Sequence, residues 1–369
     1  MRIGVVSELY DPCVGAVPDH VRDFAREARR LGHVVKVVTG EVPELPRSQD
    51  ADRDVIRVGS SLPVYRGGAL ERLTGGAGVG AAIREVLARE RFDVVHVHTP
   101  LTPVLPLLAV HHAAGPVVGT FHAPFRAGLL LRLLGRTLQR HLDRLDAVVA
   151  SSRACLAPIE ERLHGDVRVI PSGVDLARLS RGRRIRRYED GKLNVLYAGP
   201  LEPRGGLERL IPAFHCAWRQ VDARLIVLGA GPLLPWYRAL VPRELSEEVV
   251  FAGRETDERA DWYATADVCC APGLEPGAGA EVLEGMAAGR PVLAADLEGH
   301  RELMHHGREG ELLAPEEPAA WARALVRLSR DPLRAAAYGE HGRFAAQRHA
   351  WPAVAREILG LYRAVGVRG

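Results

Sequence analysis

A chain of 369 residues, 47% hydrophobic and 26% charged, is long enough for two domains and too apolar for a disordered or fibrous protein. Its formal net charge of +3 argues against a dedicated nucleic-acid binder. The longest uncharged stretches, such as Thr99 to Ala123, are broken by Pro100, Pro103, Pro106, His111, His112 and Pro116, which excludes a membrane span of about 20 residues there.

The chain opens directly on a strand-like run, Ile3 to Val6, with no apolar signal core or cleavage site before it, so a cytoplasmic protein is expected. Short β-branched runs then recur at Val34–Val38, Val94–Val97, Pro116–Gly119, Ala147–Ala150 and Val167–Ile170. Helical stretches fall between them, notably Asp19 to Leu31 closed by Gly32, and Gly80 to Arg91. This alternation predicts βαβ units around a parallel sheet. The sequence GGAGVG, Gly75 to Gly80, lacks the preceding strand and spacing of a dinucleotide fingerprint and reads as a loop before a helix. The polar run RGRRIRRYEDGK, Arg181 to Lys192, reads as a linker.

A second alternating series follows: strands at Asn194–Ala198, Leu225–Gly229, Val249–Ala252, Val268–Ala271 and Val292–Ala294, with helices at Gly206–Gln220, Leu233–Leu240 and Ala280–Ala288. Helices near Pro318–Arg330 and from Trp351 to Tyr362 complete the chain. The fold class expected is therefore α/β, with two Rossmann-like doubly wound domains facing across a cleft: residues 1–180, with 351–369 packing back on them, and residues 190–350. Ligands in such sheets bind at the carboxyl ends of the strands.

The five cysteines, Cys13, Cys155, Cys216, Cys269 and Cys270, show no CxxC spacing and read as small buried apolar residues rather than a disulfide framework or zinc site. Lys36 and Lys192 are the only lysines, so a phosphate must be met by arginine, backbone amides or helix N-termini. In a helix expected from Arg126 to Asp146, Arg132, Arg136, Arg140 and Arg144 recur four apart, with Leu134, Leu138, Leu142 and Leu145 opposite. That is either an ordinary surface helix or a basic face for anionic lipid.

The segment APGLEPGAGAEVLEGMAAGRPVLAAD, Ala271 to Asp296, resembles the signature of family 4 retaining glycosyltransferases with the GT-B fold. A glycine turn exposes amides at a helix N-terminus that can hold phosphate, and a carboxylate in that helix can accept from ribose hydroxyls. The segments MRIGVVSELYDPCVGAVPDHV, FDVVHVHTP, VVGTFHAPF, VRVIPSGVD, VLYAGPLEPRGGLERLIPAF, LIVLGAGPL and VVFAG resemble the same family in order and spacing. The nearest resemblance is to the phosphatidylinositol mannosyltransferase-like bacterial enzymes. It implies that His122 meets the transferring sugar, with Glu275 as the second catalytic residue. It assigns the donor to Gly15, Ala16, Arg204, Gly277, Ala278, Gly279, Ala280 and Glu284, and the acceptor or membrane face to the four arginines. By itself, His122 also reads as a satisfied loop histidine, and Glu284 as a solvated helix carboxylate.

Departures from the family pattern are Pro276 at the place of its first glutamate, Ala278 for phenylalanine, Gly15-Ala16 for a glycine pair, and Pro200 and Gly205 where an arginine and a lysine clamp the diphosphate. The implied function is transfer of a hexose, mannose among the candidates, with retention from a nucleotide sugar such as GDP-mannose or a UDP-hexose to a lipid-linked or carbohydrate acceptor. No metal or other cofactor and no nucleic acid is expected, and an anionic membrane at the inner face is a candidate partner. The departures motivate a second reading, a protein that keeps the fold and binds nucleotide sugar, or scaffolds, without turnover. An NAD-dependent enzyme is disfavoured by the missing fingerprint.

Overall fold

Strands buried on both faces of a parallel sheet need nearly continuous apolar sequence, and the runs picked out above supply it. The computed structural model describes all residues except 14, 44–53, 67–68, 125–134, 158, 164–165, 254–257, 275–278 and 367–369. It divides into two compact units, the first made of Met1–Arg66, Leu70–Gly173 and Trp351–Gly369, the second mainly of Val174–Ala350.

The first unit holds an eight-stranded sheet of order β4-β3-β2-β1-β5-β6-β7-β8. Its strands are β1 Arg2–Val6, β2 Val34–Glu41, β3 Val55–Arg66, β4 Ala69–Gly75, β5 Val94–His98, β6 Val117–Phe121, β7 Ala147–Ala150 and β8 Asp166–Val169. Val5 pairs in parallel register with Val37 on one side and His96 on the other. One face is covered by helices Val79–Glu90, Leu105–His112 and Gly135–Leu142, burying Ile83, Leu105 and Leu142. The other is covered by helix Ala16–Arg30 and the last helix, Trp351–Ala364, whose Val354, Ile358 and Tyr362 share a core with Val21 and Phe24.

The second unit holds six strands in the order β11-β10-β9-β12-β13-β14. They are β9 Leu193–Ala198, β10 Ala223–Leu228, β11 Val249–Gly253, β12 Val268–Ala271, β13 Val292–Ala295 and β14 Gly310–Leu313. The polar run Arg181–Lys192 is not the link between the units; the division falls earlier, at Gly173/Val174. Its backbone is tied into the second unit: the Arg183 N–H donates to Asp261 at 2.8 Å, the Ile185 N–H to Thr265 Oγ1 at 2.9 Å, and Arg184 pairs with Asp267 at 2.9 Å. Tyr188 is buried beside Trp262. Among the described residues no helix is long and apolar enough to cross a membrane.

Candidate functional site

In a doubly wound sheet the loops diverge where strand order reverses, and the carboxyl ends of the strands at that point form the ligand crevice. In the first unit the reversal lies between β1 and β5. Four histidines gather there: His20 on helix Ala16–Arg30, His96 and His98 on β5, and His122 just beyond β6. All four are at most 5% exposed. His98 Nδ1 lies 2.8 Å from His122 Nε2, and the two rings lie side by side and nearly parallel, centroids 5.1 Å apart at an 11° interplanar angle, as an N–H···N bond in the ring plane requires. His96 packs near-parallel on His98 at 4.5 Å and is pinned at both nitrogens, by Tyr362 Oη and Thr120 Oγ1, each at 2.6 Å. His20 meets His122 edge-on at 4.8 Å and bonds Ser172 Oγ through Nδ1 at 3.1 Å.

Burial disfavours the charged imidazole. It lowers His122 to about 4 and, helped by the neighbouring His122, His96 to about 3. His20 and His98 are pushed well down by burial first and then by the other histidines. The cluster is thus four neutral rings. One ring nitrogen each from His20, His98 and His122 lies within 4.8 Å of the other two, a donor set that suits a transition metal. A tetrahedral zinc, however, holds its nitrogens about 3.3 Å apart. The 2.8 Å between His98 and His122 is a hydrogen bond, which an ion would have to break.

Sequence reasoning singled out His122 alone. The signal for its neighbours was available in HVH: residues two apart on a strand share a face, and these end the strand at the switch point. Glu8, just after β1, was also missed. It is 4% exposed; its carboxylate accepts from the Thr74 N–H at 2.8 Å, the Thr74 hydroxyl and the Leu105 N–H at 3.2 Å. Desolvation outweighs those three bonds and raises Glu8 to about 7. Beside it, Val104 holds φ at 71°, a strained state for a β-branched residue next to a ligand crevice. Gly15 (φ 145°) caps helix Ala16–Arg30 ahead of Ala16, and an added Cβ there would meet nothing within 4 Å.

In the second unit the order reverses between β9 and β12, and the loops after these strands carry the described donor candidates. They pack on each other: the Leu274 N–H donates to Arg204 O at 2.9 Å. Gly205 stands where the family has lysine, and a Cβ there would lie 2.3 Å from Tyr197 Oη and 2.4 Å from Pro200 O, so the turn excludes any side chain. Arg204 pairs with Glu202 at 2.8 Å. Gly279, with φ 56°, caps helix Ala280–Ala287 and leaves the amides of its first turn without intrahelical acceptors. An added Cβ at Gly279 would lie 2.5 Å from Leu303.

Glu284 is not a free carboxylate. Arg259 grips it in a fork at 2.9 and 2.6 Å, and Tyr263 Oη donates at 2.6 Å. Burial, then the Glu284 charge, holds the Tyr263 hydroxyl well above its usual range, so it remains a donor. Glu275, Pro276, Gly277 and Ala278 lie outside the described residues, as does Arg132.

Of the helix expected from Arg126 to Asp146, residues 126–134 lie outside the described residues, and the described part ends at Leu142, before Arg144. The described helix spans Gly135–Leu142, with Arg136 and Arg140 exposed and Leu142 and Leu145 buried. Arg144 lies past its end and donates to Val110 O at 2.9 Å and Ala113 O at 2.8 Å, closing helix Leu105–His112. A guanidinium on the last carbonyls of a helix satisfies both their hydrogen bonding and the dipole, which removes Arg144 from the stripe. Of the cysteines, Cys155, Cys269 and Cys270 are buried and burial pushes Cys269 up to about 12, but Cys216 is exposed.

Two doubly wound parallel sheets, each presenting glycine-bearing loops at its switch point, define the GT-B class of α/β proteins. Residues 17–178 match Glycosyltransferase Family 4, and residues 192–331 match Glycosyl transferases group 1. The chain is 31% identical to the phosphatidyl-myo-inositol mannosyltransferase of Mycobacterium leprae, over 100% of this chain and 98% of that protein. Its identity to the Mycobacterium tuberculosis counterpart is 30%, over the same shares, 100% and 98%. The crystal structure of Anabaena Alr3699/HepE in complex with UDP and glucose is similar at a TM-score of 0.78 and 20% identity, covering 99% of this chain and 100% of that one. The chain belongs to the family 4 glycosyltransferases and has the GT-B fold; the chemistry of that family is glycosyl transfer.

Proposed function

We propose that the chain is a retaining hexosyltransferase, moving a hexose from a nucleotide diphosphate sugar to a lipid-linked or carbohydrate acceptor, with no metal or other cofactor. Mannose from GDP-mannose is the first candidate and a UDP-hexose the second. The observation that carries the reading is the whole-length match to mannosyltransferases of phosphatidyl-myo-inositol; the UDP and glucose bound to the Anabaena protein support a nucleotide diphosphate donor.

In this reading the departing diphosphate is met by the amides at the start of helix Ala280–Ala287, with Gly277 and Ala278 before it in sequence, and by Arg204; Gly15 and Ala16 are assigned to the donor as well. Glu284, oriented by Arg259 and Tyr263, receives the nucleotide ribose. His122 and Glu275 act at the sugar. Arg136 and Arg140 bring the protein to an anionic membrane at the cytoplasmic face. Purified protein incubated with GDP-mannose and UDP-hexoses tests the proposal through release of nucleoside diphosphate and the anomeric configuration of the product. Glu284→Ala is expected to weaken donor binding by about 1–3 kcal/mol, the range for losing charge-assisted hydrogen bonds. Unchanged calorimetric affinity in that variant refutes the role of Glu284, and an inverted product refutes retention.

A second reading, nucleotide-sugar binding without efficient turnover, is favoured by one observation. The turn at Gly205 has no room for the family's lysine, and the remaining cation, Arg204, is already paired with Glu202. Donor binding with neither hydrolysis nor transfer decides for it.

A further inference from the structure

We propose that His98 is a positioning residue: its Nδ1 proton is donated to His122 Nε2, which fixes His122 as the Nδ1–H tautomer and makes it present a hydrogen-bond donor, not an acceptor, to its ligand. The proposal rests on the function above only for what that ligand is. The proton assignment follows from the cluster itself.

Two neutral imidazoles 2.8 Å apart through nitrogen share one proton, and only two arrangements exist. If His122 Nε2 were the donor, His98 would accept at Nδ1 and carry its own proton at Nε2. That atom is buried and meets no partner among the described residues. A buried N–H without an acceptor is rarer in folded proteins than an unsatisfied lone pair. Placing the proton of His98 on Nδ1 leaves only a lone pair at its Nε2 and puts the proton of His122 on Nδ1.

His98 cannot turn to escape this choice. Its ring packs near-parallel against His96 at 4.5 Å and is fully buried, and His96 is itself held at both nitrogens by Tyr362 and Thr120. His20, anchored through Nδ1 to Ser172, closes the cluster edge-on. The second nitrogen of His122 is the one left for chemistry. As an N–H it selects an oxygen acceptor, a sugar hydroxyl or a phosphate oxygen, and it cannot serve as a general base while His98 holds Nε2.

Full-length protein labelled with ¹⁵N-histidine, at a pH above 7 where every ring here is neutral, reports the tautomer in long-range ¹H–¹⁵N spectra. The expected result is a proton on His122 Nδ1 in the wild type. It should be retained in His98→Asn, whose amide nitrogen takes the place of Nδ1, and lost in His98→Leu, where Nε2 is released. A proton on His122 Nε2 in the wild type, or an unchanged tautomer in His98→Leu, overturns the proposal. Should His98→Leu fail to fold, the wild-type and His98→Asn spectra still decide.

Where a donor is turned over, kcat is expected to fall about tenfold or more in His98→Leu with KM for the donor little changed, because a wrongly held tautomer costs the chemical step. His98→Asn should recover most of it. Equal loss in both variants overturns the positioning role. If no sugar is transferred while the spectra come out as expected, the proposed function fails and the tautomer stands; if sugar is transferred while the proton sits at Nε2, the function stands and the tautomer fails.

Discussion

Replacing Glu8 by glutamine changes a single proton-binding site and little volume, and its effect on stability can be worked out from the structure. The carboxyl is raised from 4.5 to about 7 because burial outweighs the three donors at Thr74 and Leu105. A group whose pKa is raised on folding contributes stability that is complete below its unfolded pKa and is lost as pH rises through the folded one. Glu8 therefore stabilises the first unit fully below about pH 4.5, and the contribution disappears by about pH 7. The gap of about 2.5 units is worth roughly 3 kcal/mol. Glutamine stays neutral throughout and has no such slope. It carries a pH-independent penalty of about 1 kcal/mol, since its NH₂ must face one of the N–H donors that the carboxylate accepted.

The stability difference, variant minus wild type, should thus climb by about 3 kcal/mol between about pH 4.5 and pH 8, equivalent to roughly 6–12 °C in Tm for a unit of this size. The neutral histidines work in the opposite direction. Their folded pKa values are depressed, so they lose stability as pH falls below 6.5, but they are common to both proteins and cancel in the difference. Calorimetric melts at matched pH values measure it. Trp351, the only tryptophan in the first unit, identifies that unit's transition by its emission. Parallel pH profiles for the two proteins would refute the reasoning, because Glu8 would then be ionised in both folded and unfolded states over the same range.

Gly205→Lys, which restores the family residue, should not restore a phosphate clamp; with its Cβ 2.3 Å from Tyr197 Oη, it should destabilise the second unit by about 1–3 kcal/mol, and Gly205→Ala should do nearly as much. Urea unfolding measures this, and unchanged midpoints in both variants refute the steric argument. Changing Arg136 and Arg140 together to glutamine should reduce co-sedimentation with anionic vesicles, by about 1 kcal/mol per arginine at low salt, and leave neutral vesicles unaffected. Equal partition of both proteins onto both vesicle types refutes a membrane role for this helix.

Most of the fold was legible because buried parallel strands are written as unbroken apolar runs: β7 and β12 coincide with the stretches Ala147–Ala150 and Val268–Ala271. The strands missed are of another kind. β3, VIRVGSSLPVYR, interrupts its apolar residues with Arg57, Gly59 and Pro63, and β4 ends the sheet; strands toward an edge need not be apolar on both faces, so they lack the run that marks a central strand. Helix Leu105–His112 was hidden because Pro103 and Pro106 read as breakers. Pro106 stands in the first turn, where its missing N–H costs nothing.

The site was less legible than the fold, for a different physical reason. A motif reports which residues come to a loop, but charge and proton states depend on partners distant in sequence. Glu284 was recognisable from its helix, whereas Arg259 and Tyr263, which hold its carboxylate with three hydrogen bonds, arrive from a helix preceding β12. Likewise Pro200 and Gly205 read as lost cations, yet Tyr197 donates to Pro200 O at 2.7 Å and fills the space beside Gly205. A lysine cannot be inserted there without displacing that ring. The departure is therefore a property of the packed turn, not of one substituted side chain. With Arg204 paired to Glu202, the positive potential available to a diphosphate at this loop must come chiefly from backbone amides. Such dipoles are fixed in place and are not titrated away.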